Sequence, residues 1–282
     1  MPSPSPVSLP FLALLRCAGP DAVSFLQGQL TNDTRLLADG RTQLAALNTP
    51  QGRVVAVLRL RATPEAVYAL VPADLADAVL ARLRKFVMRA KVDLGRADDL
   101  RLVGCAAEEG APARDVPGSV VEFRWSRDRT VQALPADSGF VAAVSAADAW
   151  RAADVAAGLP QIDSATSESF VAQMLNLDVL DGISFTKGCY TGQEIVARTQ
   201  NLGRIKRRTL RYRITDGEPP APLAALLADG AKVAEVLVSA PAGTGCELLA
   251  VTSLEARGRA LVTDDGRTVE PLPLPYALPG DA

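Results

Sequence analysis

The twenty residues DGISFTKGCYTGQEIVARTQ (181–200) hold the densest chemistry in the chain. Lys187 and Cys189 flank Gly188, so a cation and a thiol share one turn. Thr191-Gly192-Gln193-Glu194 fits a capping box, with Thr191 as N-cap and Glu194 three residues on. The pattern predicts a helix over 192–200 whose N-terminus points back toward the KGCY turn. That end carries partial positive charge and unpaired N–H groups, which suit an anion and favour a thiolate nearby. Each residue also has a plainer role. Glu194 only caps, Cys189 is a small buried apolar group, Lys187 is a surface charge, and Gly188 and Gly192 supply positive φ. The residues by themselves leave both sets of roles open.

Outward from this stretch, the pattern before it is α+β and the pattern after it is all-β. GPDAVSFLQGQLT (19–31) reads as a helix and TNDT (31–34) as a turn. Residues 42–47, RVVAVLRL (53–60) and VYALV (67–71) read as strands, the last two as a hairpin. Leu75, Val79, Leu83 and Val87 repeat every four residues, which predicts a helix over 74–88 capped by Asp74. Strands are expected from 92 to 105, at 121–125, in TVQAL and at 140–144, and a helix over 146–157 closed by Gly158 and Pro160. After residue 202 come KVAEVLVSA, CELLAVTSL, GRALVTD and TVEPLP, short strands of an all-β module. The run GRIKRRTLRYRIT (203–215) packs six Lys/Arg into residues 203–213.

Composition excludes whole classes of chemistry. The 282 residues contain no histidine, so no Ser-His-Asp triad, histidine shuttle or His-ligated metal site arises from this chain. Cys17, Cys105, Cys189 and Cys246 are far apart and form no CxxC, so reduced thiols and no metal site are expected. Net charge is −2, which argues neither for nor against a nucleic-acid partner. There is no apolar run of membrane-spanning length, and the apolar stretch near the start lacks a basic flank, so no signal peptide is read and a cytoplasmic place is expected.

KGCYTGQE, inside GISFTKGCYTGQEIVAR, closely resembles the signature of the YgfZ family, folate-binding proteins related to the aminomethyltransferase (T-protein) of the glycine cleavage system. GPDAVSFLQGQLTND, LNTPQGRVVAVLRL, WRAADVAAGLPQID and EPLPLPYAL extend the likeness over roughly residues 11–278. The resemblance implies a T-protein-like α+β fold. Residues 10–202 would form a folate-binding core of two subdomains around a central cavity, with 46–144 as the second subdomain. Residues 203–282 would form a small C-terminal β-barrel. It implies a tetrahydrofolate-binding accessory factor for assembly or repair of iron–sulfur proteins. Its partners would include radical-SAM enzymes of tRNA methylthiolation.

Carried over residue by residue, Cys189 is the functional thiol. Lys187, Gly188, Tyr190, Gly192, Gln193 and Glu194 complete the signature turn as cofactor contacts. Trp150 takes the place of a tryptophan that lines the folate site, where a flat indole suits stacking on a pterin. Trp125 has no such match and is read as structural. Two departures stand out. Phe11 or Leu12 replaces a second tryptophan of some relatives. In the register of the resemblance Val79 stands where the T-protein has the aspartate that serves aminomethyl transfer, and the nearby Asp74 and Asp77 are read as solvated helix-start carboxylates. The alternative function, a folate-dependent one-carbon transferase, is therefore the weaker one. Gln29, Asn32 and Asp33 suit either a pterin or a polar turn. Arg204, Lys206, Arg207 and Arg208 suit a folate tail, RNA, a partner or a solvated strand face, and direct tRNA binding is not predicted.

Overall fold

The computed structural model describes residues 5–107, 113, 115–142, 147–201 and 205–280. The chain divides into two compact units. The first comprises Met1–Asn48, Ala56–Ala147 and Asp181–Thr191, and the second Thr49–Val55, Asp148–Leu180 and Gly192–Ala282.

Two antiparallel sheets build the first unit. The chain runs β1 (Val7–Ser8), β2 (Leu12–Ala18), α1 (Ala22–Gln27), β3 (Gln43–Asn48), β4 (Val54–Ala62), β5 (Ala66–Pro72), α2 (Ala76–Arg84), β6 (Asp93–Arg96), β7 (Leu100–Ala106), β8 (Val121–Arg124) and β9 (Arg129–Pro135). One sheet has the order β3-β4-β5-β2-β6 and the other β1-β7-β9-β8. β5 is buried at every position and β4 through Leu60, as their near-continuous apolar runs demand. β5 lies between β4 and β2 in the sheet, with Leu70 opposite both Arg59 and Leu14. α2 covers its own face with Ala76, Val79, Leu80 and Leu83, a spacing of three and four. Trp125 is buried beneath the Arg59 guanidinium, 3.6 Å from ring centre to Cζ, as befits a structural tryptophan.

The helix predicted over 74–88 is shorter. A 3-10 turn over Ala73–Leu75 precedes it, so Leu75 rather than Asp74 occupies the N-cap position. It ends at Arg84, where the Phe86 and Val87 N–H groups bond three residues back, to Leu83 and Arg84. Residues 140–142 are not a strand, although Phe140 and Ala142 pack on Val103, Cys105 and Leu134; the rest of that predicted strand lies outside the described residues.

The second unit contains α3 (Ala147–Ala156), α4 (Gln193–Asn201) and a closed barrel. Its strands are β10 (Arg207–Ile214), β11 (Ala225–Ala228), β12 (Ala231–Ala242), β13 (Gly245–Ser253), β14 (Leu261–Thr263) and β15 (Thr268–Leu272), in the order β10-β13-β12-β11-β14-β15, with β15 pairing back onto β10. Closure removes the free edges that short strands otherwise expose. Tyr212, Leu226, Val236, Leu248 and Leu261 fill the interior, and the Tyr212 hydroxyl donates to Thr252 Oγ1 at 3.1 Å. A buried polar network ties the segment before α4 to the barrel. Arg208 forks onto Asp178 at 2.8 and 2.9 Å, Asn176 Nδ2 donates to the Thr209 carbonyl, and Tyr276 donates to the Gly158 carbonyl.

β13 begins where two backbones nearly touch: a Cβ on Gly245 would stand 2.0 Å from the Ile214 carbonyl oxygen. Gly245→Ala is therefore expected to cost about 3 kcal/mol or more, read as a lower urea midpoint of the full chain. An unchanged midpoint would show that the barrel rim yields.

Candidate functional site

The KGCY turn belongs to the first unit, and its neighbours there come from the loop after α1. Thr31 Oγ1 donates to the Gly182 carbonyl at 2.7 Å, and Asn32 Nδ2 donates to the Asp181 carbonyl at 2.6 Å and to the Leu44 carbonyl at 2.8 Å. The Ser184 N–H donates to Thr31 O, and the Thr191 N–H to Gly28 O. Asp181 accepts a left-handed backbone, φ 57°, to start this run. Two segments 150 residues apart are thus laced together along their length. The polar string QGQLTND is polar because its side chains replace strand hydrogen bonds.

Lys187 closes the lacing. Its ammonium is buried and donates to three backbone carbonyls, those of Gln27 at 2.7 Å, Leu30 at 2.7 Å and Asn32 at 2.8 Å. An ammonium has three N–H donors, and all three are used. Burial holds its pKa down to about 8, against the pull of the Asp33 carboxylate. The nitrogen also lies 5.0 Å from the Tyr190 ring centre. Tyr190 is buried, which pushes its hydroxyl up to about 12. Lys187 is therefore neither a surface charge nor a cation open to an anion. It is a strut that fixes the turn.

The turn it fixes presents a thiol. Cys189 is exposed, whereas Cys17, Cys105 and Cys246 are buried. Burial pushes the Cys17 thiol up to about 12 and raises that of Cys246, so neither is a ready nucleophile. Gly188 is exposed and has open space around it; it is not at positive φ, so its role is not conformational. Lys187, Gly188, Cys189 and Tyr190 belong to the first unit, and Gly192, Gln193, Glu194 and Trp150 to the second. α4 starts at Gln193, one residue later than predicted, so Gly192, at φ 79°, stands before the first helical residue in place of Thr191. Glu194 is exposed in the first turn, where its charge complements the helix dipole. Trp150 is buried on α3.

Leu30 and Leu47 form an isolated antiparallel bridge, which puts Gln29 and Asn48 at the same end of it. Asn48 is fully buried, yet neither its side-chain oxygen nor its nitrogen has a hydrogen-bond partner among the described residues, and Gln29 Oε1 is in the same condition. Buried polar atoms are seldom left so. Asn48 was missed in the sequence, where it stands only as part of LNTPQGRVVAVLRL. Asn32 and Asp33, by contrast, are spent on structure: Asn32 in the lacing, Asp33 as the cap of the 3-10 turn Thr34–Asp39 and the partner of Arg35 at 2.5 Å.

The arginines of β10 are paired with acids. Arg207 pairs with Glu235 at 2.8 Å, Arg208 is buried against Asp178, and Arg211 and Arg213 share Glu247 at 2.5 and 2.8 Å. Lys206 is exposed and Arg204 lies outside the described residues.

Replacing Lys187 by Met leaves three buried carbonyls without donors and should cost about 3 kcal/mol, at roughly 1 kcal/mol each. Lys187→Arg should not restore it, because a planar guanidinium cannot aim at three carbonyls converging on one point. Equal urea midpoints for the wild type and Lys187→Met would disprove the strut. The Arg35 guanidinium holds the Asp33 carboxyl at about 2, below its ordinary 3.8. A depressed carboxylate stabilises the fold above the unfolded value and ceases to do so as pH falls through about 2. The stability difference between wild type and Asp33→Asn should hold down to about pH 4 and vanish by about pH 2; a difference flat to pH 2 would contradict the pairing.

No family model matches the chain. The tRNA-modifying protein YgfZ of Enterobacter sp. (strain 638) is 31% identical, with 96% of this chain and 93% of that protein covered. That of Pectobacterium carotovorum subsp. carotovorum (strain PC1) is 34% identical over 229 residues, 73% of this chain and 69% of the relative. Among solved structures, the glycine cleavage system aminomethyltransferase T from Bartonella henselae superposes with a TM-score of 0.73 at 17% identity, over 96% of this chain and 86% of that one. That likeness fixes the T-protein fold, α+β with the barrel at its C-terminal end. With relatives at 30% identity and above covering from 73% to 96% of it, the chain belongs to the YgfZ family.

Proposed function

We propose that this protein is a cytoplasmic, tetrahydrofolate-binding accessory factor in tRNA modification that supports assembly or repair of the iron–sulfur enzymes which carry it out, methylthiolating radical-SAM enzymes among them. That its relatives are tRNA-modifying proteins supports the setting. The observation that carries the ligand is the orphaned Asn48 carboxamide together with Gln29 Oε1. A pterin edge alternates donors and acceptors as an amide does, and Asn48 with Gln29 Oε1 offers the complementary groups. On the resemblance alone, Trp150, Gly192, Gln193 and Glu194 of the second unit are carried as proposed folate contacts.

Bound tetrahydrofolate supplies a reduced pterin and the nitrogens that carry one-carbon groups. This chain's own residues do the rest. Lys187 spends its protons on the loop after α1 and so holds the turn. Gly188 leaves open space next to Cys189, and Tyr190 packs under the ammonium. Cys189 is the proposed point of contact with a client protein, since it is the exposed thiol on a fixed turn.

Asn48→Ala separates binding from folding. Its carboxamide has no partner to lose, so the thermal midpoint of the ligand-free protein should stay level or rise. Calorimetric titration with tetrahydrofolate should show affinity weakened about tenfold or more, and Trp150→Phe should weaken it by a similar factor. Cys189→Ser should bind normally and fail to support methylthiolation of tRNA in cells lacking the endogenous protein. Unaltered binding in Asn48→Ala and Trp150→Phe would remove both from the site, and no binding by the wild type would remove the ligand.

A further inference from the structure

Within the first unit the chain crosses twice between its two sheets at one place. β1, paired with β7 through Ser8 and Val103, leads into β2; β6, paired with β2 through Arg96 and Leu15, leads into β7. Both crossings are tight: the Leu12 N–H donates to the Leu9 carbonyl, and the Leu100 N–H to the Ala97 carbonyl. The Ala97 N–H also donates to the Leu14 carbonyl at 2.8 Å, which ties the second crossing to β2. Where the two crossings meet, a groove of about 510 Å³ lies open. Small-molecule sites occupy about 300–1,000 Å³. Leu9, Leu12 and Leu14 line it from the first crossing, Leu102 and Val103 from β7, and Phe140 from the segment after β9. Phe140 is itself packed on the cluster of Val103 and Leu134.

Charge on these walls is sparse. Arg96 Nε donates to Asp98 Oδ1 at 3.1 Å, so those two answer each other. Arg101, on β7, is different. Its Nη2 donates to Ser138 Oγ at 2.8 Å, a neutral partner, and no acid pairs with it among the described residues. Its Nε is buried and has no hydrogen-bond partner. A guanidinium cannot shed its charge, and a buried donor left open on one is uncommon. Beside an apolar groove, that open N–H marks where an acceptor belongs.

We propose that this groove binds an unbranched acyl carboxylate, with a carboxylate oxygen on Arg101 Nε and the chain along the apolar walls. One open N–H on one uncompensated cation suits a monoanion. A phosphate brings up to about two charges and three acceptor oxygens, more than this site answers. An acyl chain carries no polar group, as leucine, valine and phenylalanine walls require. Gln29, Asn48 and the KGCY turn belong to the same unit and do not line the groove, so the proposal does not rest on the folate reading.

The test is calorimetric titration of the full chain with sodium octanoate and with octan-1-ol, its neutral twin. Octanoate should saturate at one molecule per chain, and octan-1-ol should bind about tenfold more weakly or less. Arg101→Gln should weaken octanoate about tenfold or more and leave octan-1-ol unchanged, which a merely distorted groove would not do. Val141 also lines the groove and is 89% exposed, so Val141→Asp spares the fold while adding an acid to the wall. It too should weaken octanoate. No binding of octanoate, or equal octanoate affinity in the wild type and both variants, overturns the proposal. Uptake of several octanoates per chain, matched by octan-1-ol, overturns it in favour of detergent-like adsorption. Displacement of octanoate by tetrahydrofolate overturns it by putting folate in the groove. Tetrahydrofolate binding should be unaltered in Arg101→Gln, so failure of the groove and failure of the folate reading are told apart.

Discussion

The first unit depends on one ammonium group. Lys187 gathers the carbonyls of Gln27, Leu30 and Asn32, in a stretch of chain where no strand ladder satisfies them. Burying a charge is costly unless every bond it can make is made. Here three donors meet three acceptors, so the cost is offset and the geometry is unique. A shorter side chain would not reach, and an uncharged one would lack the third donor. The lacing by Thr31 and Asn32 only works while the two segments stay in contact, and the strut provides that contact from the far end of the same turn.

This arrangement changes the meaning of the signature. Read in one dimension, a lysine two residues from a cysteine suggests a cation that serves the thiol or an incoming anion. In three dimensions the protons of that lysine are already donated, and the cysteine stands outward on the loop the lysine holds. Whatever Cys189 does, it does by fixed placement and access. The three buried thiols lack both, and burial raises those of Cys17 and Cys246.

Much of the architecture was legible because it is written in periodicity. The apolar runs of β4 and β5, the four-residue repeat of α2 and the short alternating strands of the barrel each follow from which faces must be buried. What could not be read is what depends on distant partners. The helix expected to reach Met88 stops at Arg84, since the chain must turn to bring Lys91 to Asp21 and Gly19. FVA at 140–142 has a strand's apolar character but no pairing there, and Val141 stays 89% exposed. The capping box at Thr191 is displaced by one residue, because Gly192 with positive φ takes the turn. No spacing rule announces that three carbonyls converge on a side chain more than 150 residues later, nor that Asn48 is enclosed without a partner.

The charges make the same point from the other side. A net charge of −2 and a conspicuous basic run after residue 203 direct attention to the barrel, where structure pairs those arginines with Glu235, Asp178 and Glu247. A cation's reach into solvent depends on what its neighbours across the sheet supply. β10 faces acids on β12 and β13, so its charges end within the fold. The turn after α2 is held by backbone groups and one acid that spends itself on an N–H. Its cations are placed by where the backbone turns, and Arg84, Lys85, Arg89 and Lys91 are exposed.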